Sequence, residues 1–109
     1  MENPETIDAI GIEPASGLVV LTIADDWDWG NQGQHLLALQ AKLNAYFRFI
    51  ESGQIRSKYP DSVGRSVIID VVARYSTPEV GYELLNRAAD VAKKLNVQIR
   101  SRHFPGSAT

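Results

Sequence analysis

NQGQHLLALQAKLNAYFRFIESG, residues Asn31–Gly53, is the stretch that decides how the remainder of the chain must fold. At about 100° per residue, Leu36, Leu39, Leu43, Tyr46, Phe47 and Ile50 share one side as a broad apolar face. Gln40, Asn44, Arg48 and Glu51 border that face, while Ala38, Ala41, Lys42 and Ala45 lie behind it. The spacing predicts an amphipathic helix. Asn31 suits its N-cap, Gln34 the reciprocal capping position, and Gly53 a left-handed stop. Burying such a face is worth about 1.5–3 kcal/mol per large side chain, so a sheet must be found to receive it.

Upstream, Thr6–Ile12 and Leu18–Ala24 are rich in isoleucine and valine and read as two strands. Between them, Pro14 presets a turn and Gly17 supplies the positive φ that closes a hairpin through a bulge. Downstream, Tyr59–Pro60 and Gly64 mark QIRSKYPDSVGR as a linker. Arg65–Tyr75 follows as a strand with Val67, Ile69, Val71 and Ala73 on one side and Ile68, Asp70, Val72 and Arg74 on the other. A segment so apolar on both sides belongs inside a sheet. A second helix is predicted from about Thr77 to Leu95, opened by a Ser76/Glu79 capping box and striped by Val80, Leu84, Ala88, Val91 and Leu95. Val97–Phe104 is the last strand, with Val97 and Ile99 inward and Gln98, Arg100 and Arg102 outward. The order ββαβαβ implies an α+β two-layer sandwich: a four-stranded mixed sheet carrying both helices on one face. Its first strand opposes the others, and the long linker leaves the direction of the third open.

The chain of 109 residues fits a single domain, with loose ends expected at 1–5 and 105–109. Its composition, 44% hydrophobic and 22% charged, is that of a globular protein rather than a disordered one. A net charge of −2 gives no global attraction to nucleic acid or acidic lipid. Cysteine is absent, which removes disulfides, thiolate metal sites and cysteine nucleophiles together. The N-terminus lacks the layout of a secretory signal and no apolar run approaches bilayer length, so a soluble cytoplasmic protein is expected.

Two surfaces stand out. With both helices on one face, Leu18, Val20, Ile68 and Val72 gather on the other, an apolar group that calls for a cover. Loops and the C-terminal tail are one cover; a homodimer or an unidentified protein partner is another. The second surface is the loop ADDWDWGNQG. Asp25, Asp26 and Asp28 with His35 are oxygen and nitrogen donors of the kind that hold a divalent cation, and Trp27 and Trp29 offer stacking surfaces. The spacing is not that of an EF-hand, and the plainer reading has aspartates complementing the helix start and one tryptophan folding onto the core. Trp27, Asp28, Trp29 and His35 are therefore candidate binding residues, with no metal or cofactor assigned. No nucleophile elbow, P-loop or dinucleotide fingerprint occurs, and no catalytic residue is assigned. Arg65, Arg74, Arg100, Arg102 and His103 can form a basic stripe if the last two strands are neighbours. Asp70 among them points instead to cross-strand ion pairs, and the face lacks the aromatics of a nucleic-acid reader. Phe49, off the main stripe, is expected to pack beneath the linker with Tyr59.

IDAIG at Ile7–Gly11, LVVLTIADDWDW at Leu18–Trp29, HLLALQAKLNAYFRFIESGQ at His35–Gln54 and YPDSVGRSVII at Tyr59–Ile69 together resemble a family of small bacterial proteins classed as a domain of unknown function. The resemblance implies a soluble, stand-alone bacterial domain and carries over no catalytic residue. The function expected is a non-enzymatic, self-associating binding module. The alternative is a small metal-assisted enzyme or ligand binder at the Asp25–Asp28/His35 loop.

Overall fold

β2 (Val19–Asp25) and β3 (Val67–Ala73) form the centre of the sheet in parallel, Val19 beside Val67 and Leu21 beside Ile69. β1 (Ala9–Ile12) lies antiparallel on the outer side of β2, and β4 (Val97–His103) parallel on the outer side of β3, giving the order β1-β2-β3-β4. The structure, a computed structural model, describes residues 1 and 3–105. Glu2 and residues 106–109, which include most of the tail expected to be loose, lie outside the described residues.

The hairpin forms as its residues dictate. Gly17 takes φ +72°, its N–H donates to the Glu13 carbonyl, and the Glu13 N–H donates to Leu18 O at 2.9 Å, a bulge built on a left-handed glycine. α1 (Gln32–Glu51) begins where the Asn31 side chain accepts from the Gln34 N–H at 3.1 Å and stops before Gly53 at φ +81°. α3 (Glu79–Lys94) connects β3 to β4. Leu39, Leu43, Tyr46 and Phe47 of α1 join Leu84, Leu85, Ala88 and Ala92 of α3 in one cluster with Leu21, Ile23, Ile69, Val71 and Val97. Both long helices thus cover the same face, and the sandwich has two layers.

Five details differ from the sequence reading. The linker contains a short helix, α2 (Gln54–Lys58), and a 3-10 turn at Pro60–Ser62. The first strand starts at Ala9, not Thr6, because the Asp8 N–H turns away to the Tyr46 hydroxyl. The capping box at Ser76/Glu79 does not form: Pro78, extended at φ −74° and ψ 172°, is itself the N-cap, so the helix begins too late for the Ser76 hydroxyl to reach it. The buried side of α3 is accordingly centred on Gly81, Leu84, Leu85, Ala88 and Ala92, and Val91 is exposed. On α1, Lys42 and Ala45 are buried rather than turned away, because the segment Asn3–Asp8 lies along that flank. Among the described residues no helix is long and apolar enough to cross a membrane.

Candidate functional site

The aspartate–tryptophan loop closes on His35. This ring is 1% exposed. Its Nε2 lies 2.6 Å from Asp25 Oδ2, at the C-terminal end of β2, and its Nδ1 lies 2.8 Å from the Asp28 carbonyl oxygen. Both contacts are to oxygens, so each ring nitrogen already faces a partner within the protein and neither is turned outward to ligate a cation. The other Asp25 oxygen accepts from the Trp27 N–H and the Asp28 carboxylate from the Gly30 N–H, so two of the three aspartates tie down the loop instead of the helix start. Trp29 stacks on His35 at 3.6 Å between ring centroids and 12° between planes; Trp27 meets it edge-on at 5.9 Å. The Trp29 indole also lies against α3, where a Cβ at Gly81 would come within 2.9 Å of Cη2. Trp27, Asp28, Trp29 and His35 are thus brought together as expected. What they build is a lock between β2, the loop and α3. A polar cleft of about 350 Å³ opens onto this cluster, lined by Asp26, Trp27, Asp28, Asn31, Gln34, His35 and Tyr75. Among the described residues no group of three histidine or acidic side chains converges on a point that would hold a metal.

A second buried network ties down the N-terminal segment. Lys42 is 1% exposed and its ammonium donates to Asn3 O at 2.8 Å, Thr6 O at 2.7 Å and Asp8 Oδ1 at 2.8 Å, which uses all three of its protons. The other Asp8 oxygen accepts from the Ala24 N–H. The Tyr46 hydroxyl donates to the Thr22 carbonyl and accepts from the Asp8 N–H. Burial pushes this phenol above the ordinary tyrosine range. The Asp8 N–H opposes that shift and the Asp8 charge adds to it. Sequence inspection passed over this network. Its one local signal was a lysine spaced three and four residues from Leu39 and Tyr46.

The uncovered face of the sheet carries Val20, Ile68 and Val72, with Leu18 just before β2, as the alternation predicts. Asp70 lies in their midst, 1% exposed, paired to Arg102 at 2.7 Å and Arg100 at 3.2 Å. These are the expected cross-strand pairs. Asp70 holds the Arg100 guanidinium further above its ordinary range, and burial acts against this. Arg100 also reaches Glu13 at 3.4 Å. Glu13 follows the end of β1, about 14 Å from β4 at ordinary strand spacing, so that bridge passes over Val20 and Ile68. Ile68 is consequently only 6% exposed without any helix above it. Leu18, Val20 and Val72 are half-buried. Arg65 donates to the Asp61 and Gly17 carbonyls, and Arg74 lies over the Tyr75 ring, so the basic residues do not form one stripe.

A groove of about 700 Å³ runs between β1 and the α1–α2 corner. Ile7, Ile10, Ala45, Phe49 and Tyr59 give it apolar walls, which places Phe49 and Tyr59 together as expected, facing an opening. Glu5, Asp8, Arg48 and Lys58 stand at its rim. Arg48 is paired with Glu5 at 2.8 Å, and Asp8 with Lys42. Its volume is within the range of small-ligand clefts, and apolar and polar residues share its lining.

No curated protein and no solved structure matches the chain. A family model described as a family of unknown function, DUF6572, matches residues 1–104. The four quoted sequence blocks, the mixed sheet and both networks all fall within that span, and the chain belongs to this family of unknown function.

Proposed function

We propose that the protein is a non-enzymatic binding module that holds another polypeptide rather than transforming a substrate. The observation that supports this reading is the groove beside β1, an apolar concavity next to a free strand edge. His35 and Asp25 at the β2–α1 loop, by contrast, are engaged with each other. The test uses the full chain as bait in three forms: wild type, Gln54→Trp and Arg102→Ala. Gln54 is exposed at the lip of the groove, so the indole fills the opening without disturbing the core. A partner retained by wild type and Arg102→Ala and lost with Gln54→Trp supports the reading. Equal retention by all three, or none by any, removes it.

Self-association through the uncovered sheet face is a second reading. It is favoured by the lack of a helix above that face and by the half-buried Leu18, Val20 and Val72 around Ile68. It expects the 12.0 kDa chain to sediment at twice that mass and to revert to one on Val72→Glu. A single-chain mass at every concentration excludes it.

A further inference from the structure

We infer that the groove takes an extended acidic peptide as a fifth strand against β1, with apolar side chains at alternate positions and a carboxylate set against Lys58. This rests on the binding-module reading and goes on to name the partner's chemistry.

The register of the hairpin fixes which edge groups are available. The Glu13 N–H donates to Leu18 O, and in an antiparallel ladder bonded and non-bonded pairs alternate. Gly11 and Ala9 therefore exchange bonds with Val20 and Thr22, while Ile10 and Ile12 direct N–H and C=O away from β2. Among the described residues only β2 neighbours β1, and neither Ile10 nor Ile12 bonds to any group outside the sheet. Asp8 closes the edge at one end, its N–H and carboxylate both being engaged. The open stretch thus suits the backbone of one short extended segment, the arrangement by which edge strands capture peptides.

Side-chain chemistry follows from the same register. On the helix side, an incoming residue opposite Ile10 enters the groove between Ala45, Phe49 and Tyr59, which asks for an apolar group. Its neighbours in sequence point to the other side, beside Ala9 and Gly11. A Cβ built on Gly11 finds nothing within 4 Å there, so size is unrestricted at those positions. Charge selects further. Glu5 and Arg48 neutralise each other across 2.8 Å and Asp8 is neutralised by Lys42. Lys58, at the end of α2, is left without a carboxylate within 4.0 Å among the described residues. One uncompensated positive charge on the rim favours a side-chain or terminal carboxylate.

The experiment selects a displayed library of random dodecapeptides on the full chain and measures enriched peptides by fluorescence anisotropy. Enriched sequences are expected to alternate apolar residues and to carry Asp or Glu. Lys58→Glu, at an exposed position, is expected to weaken them about tenfold and to shift a repeated selection away from acidic sequences. Amide exchange at Ile10 and Ile12 is expected to slow at saturation. Absence of enrichment, enrichment without alternation, indifference to Lys58→Glu, or protection mapping away from β1 each overturns the inference. Protection of the same amides in a dimer of the chain alone assigns the edge to a second copy and overturns it too. If these arms fail while Gln54→Trp still abolishes partner retention, the binding-module reading stands and only the partner chemistry falls.

Discussion

Lys42→Met is the most demanding test of the buried network, because methionine keeps most of the aliphatic stem and removes only the ammonium. Stripping one partner from a buried ion pair costs about 3–5 kcal/mol when the remaining charge has no access to water. The Asp8 side chain is 20% exposed, so partial rehydration lowers that share to about 2 kcal/mol. The Asn3 and Thr6 carbonyls belong to exposed residues and regain water at a residual cost of about 0.5 kcal/mol each. The total is about 3 kcal/mol. For a chain of 109 residues this lowers Tm by about 12 °C, at about 4 °C per kcal/mol. Urea titration at neutral pH, followed by circular dichroism, reads the change as a shift in midpoint at unchanged slope. Asp8→Asn closes the cycle: the double variant is expected to lose less than the sum of the single losses, by more than about 1 kcal/mol. A Lys42→Met variant within about 0.5 kcal/mol of wild type would refute the reasoning, since a side chain so placed cannot be removed without consequence if the three acceptors depend on it.

Gly81→Ala exchanges a poor helix former for the best one, yet its Cβ would lie 2.6 Å from Thr77 Cγ2 and 2.9 Å from Trp29 Cη2. A net loss of about 1–3 kcal/mol is expected in urea melts, relieved in part by Thr77→Ser; a gain would contradict the close approach. His35→Ala removes two hydrogen bonds and the stacking platform of Trp29, and should cost about 2–4 kcal/mol with a red shift of tryptophan emission. Unchanged emission would show that the ring does not support the indole. The folded state holds the Tyr46 proton more tightly than the unfolded chain does. Its contribution is therefore complete below about pH 10 and declines as pH rises beyond that. The urea midpoint of wild type should fall more steeply between neutral and strongly alkaline pH than that of Tyr46→Phe, and parallel curves would contradict the burial of the phenol.

Features set by neighbouring residues could be read from the sequence. Asn31 and Gly53 bound α1, Gly17 shapes the hairpin, and the two-sided apolarity of Val67–Ala73 places β3 inside the sheet. What escaped depends on contacts between distant parts of the chain. Lys42 is buried by residues 34 to 39 positions away, and no helical wheel contains that information. The aspartates and His35 look like a cation site in one dimension. Only the placement of both ring nitrogens against oxygens shows that the histidine is already engaged. The aliphatics of the uncovered face look bare until the reach of Arg100 to Glu13, 87 residues apart, is known. At α3 the error was local: Pro78 and Ser76 both carry start signals, and the proline, with its fixed φ, sets the boundary.

The two borders of the sheet are not equivalent. β1 is short and carries no charged side chain, whereas β4 ends in Arg100, Ser101, Arg102 and His103. Exposed long and polar side chains such as Arg102 along a border discourage another chain from aligning there, even where Asp70 balances the charge. The β1 border of one copy and the β4 border of another are therefore poorly matched, which disfavours stacking of copies border to border.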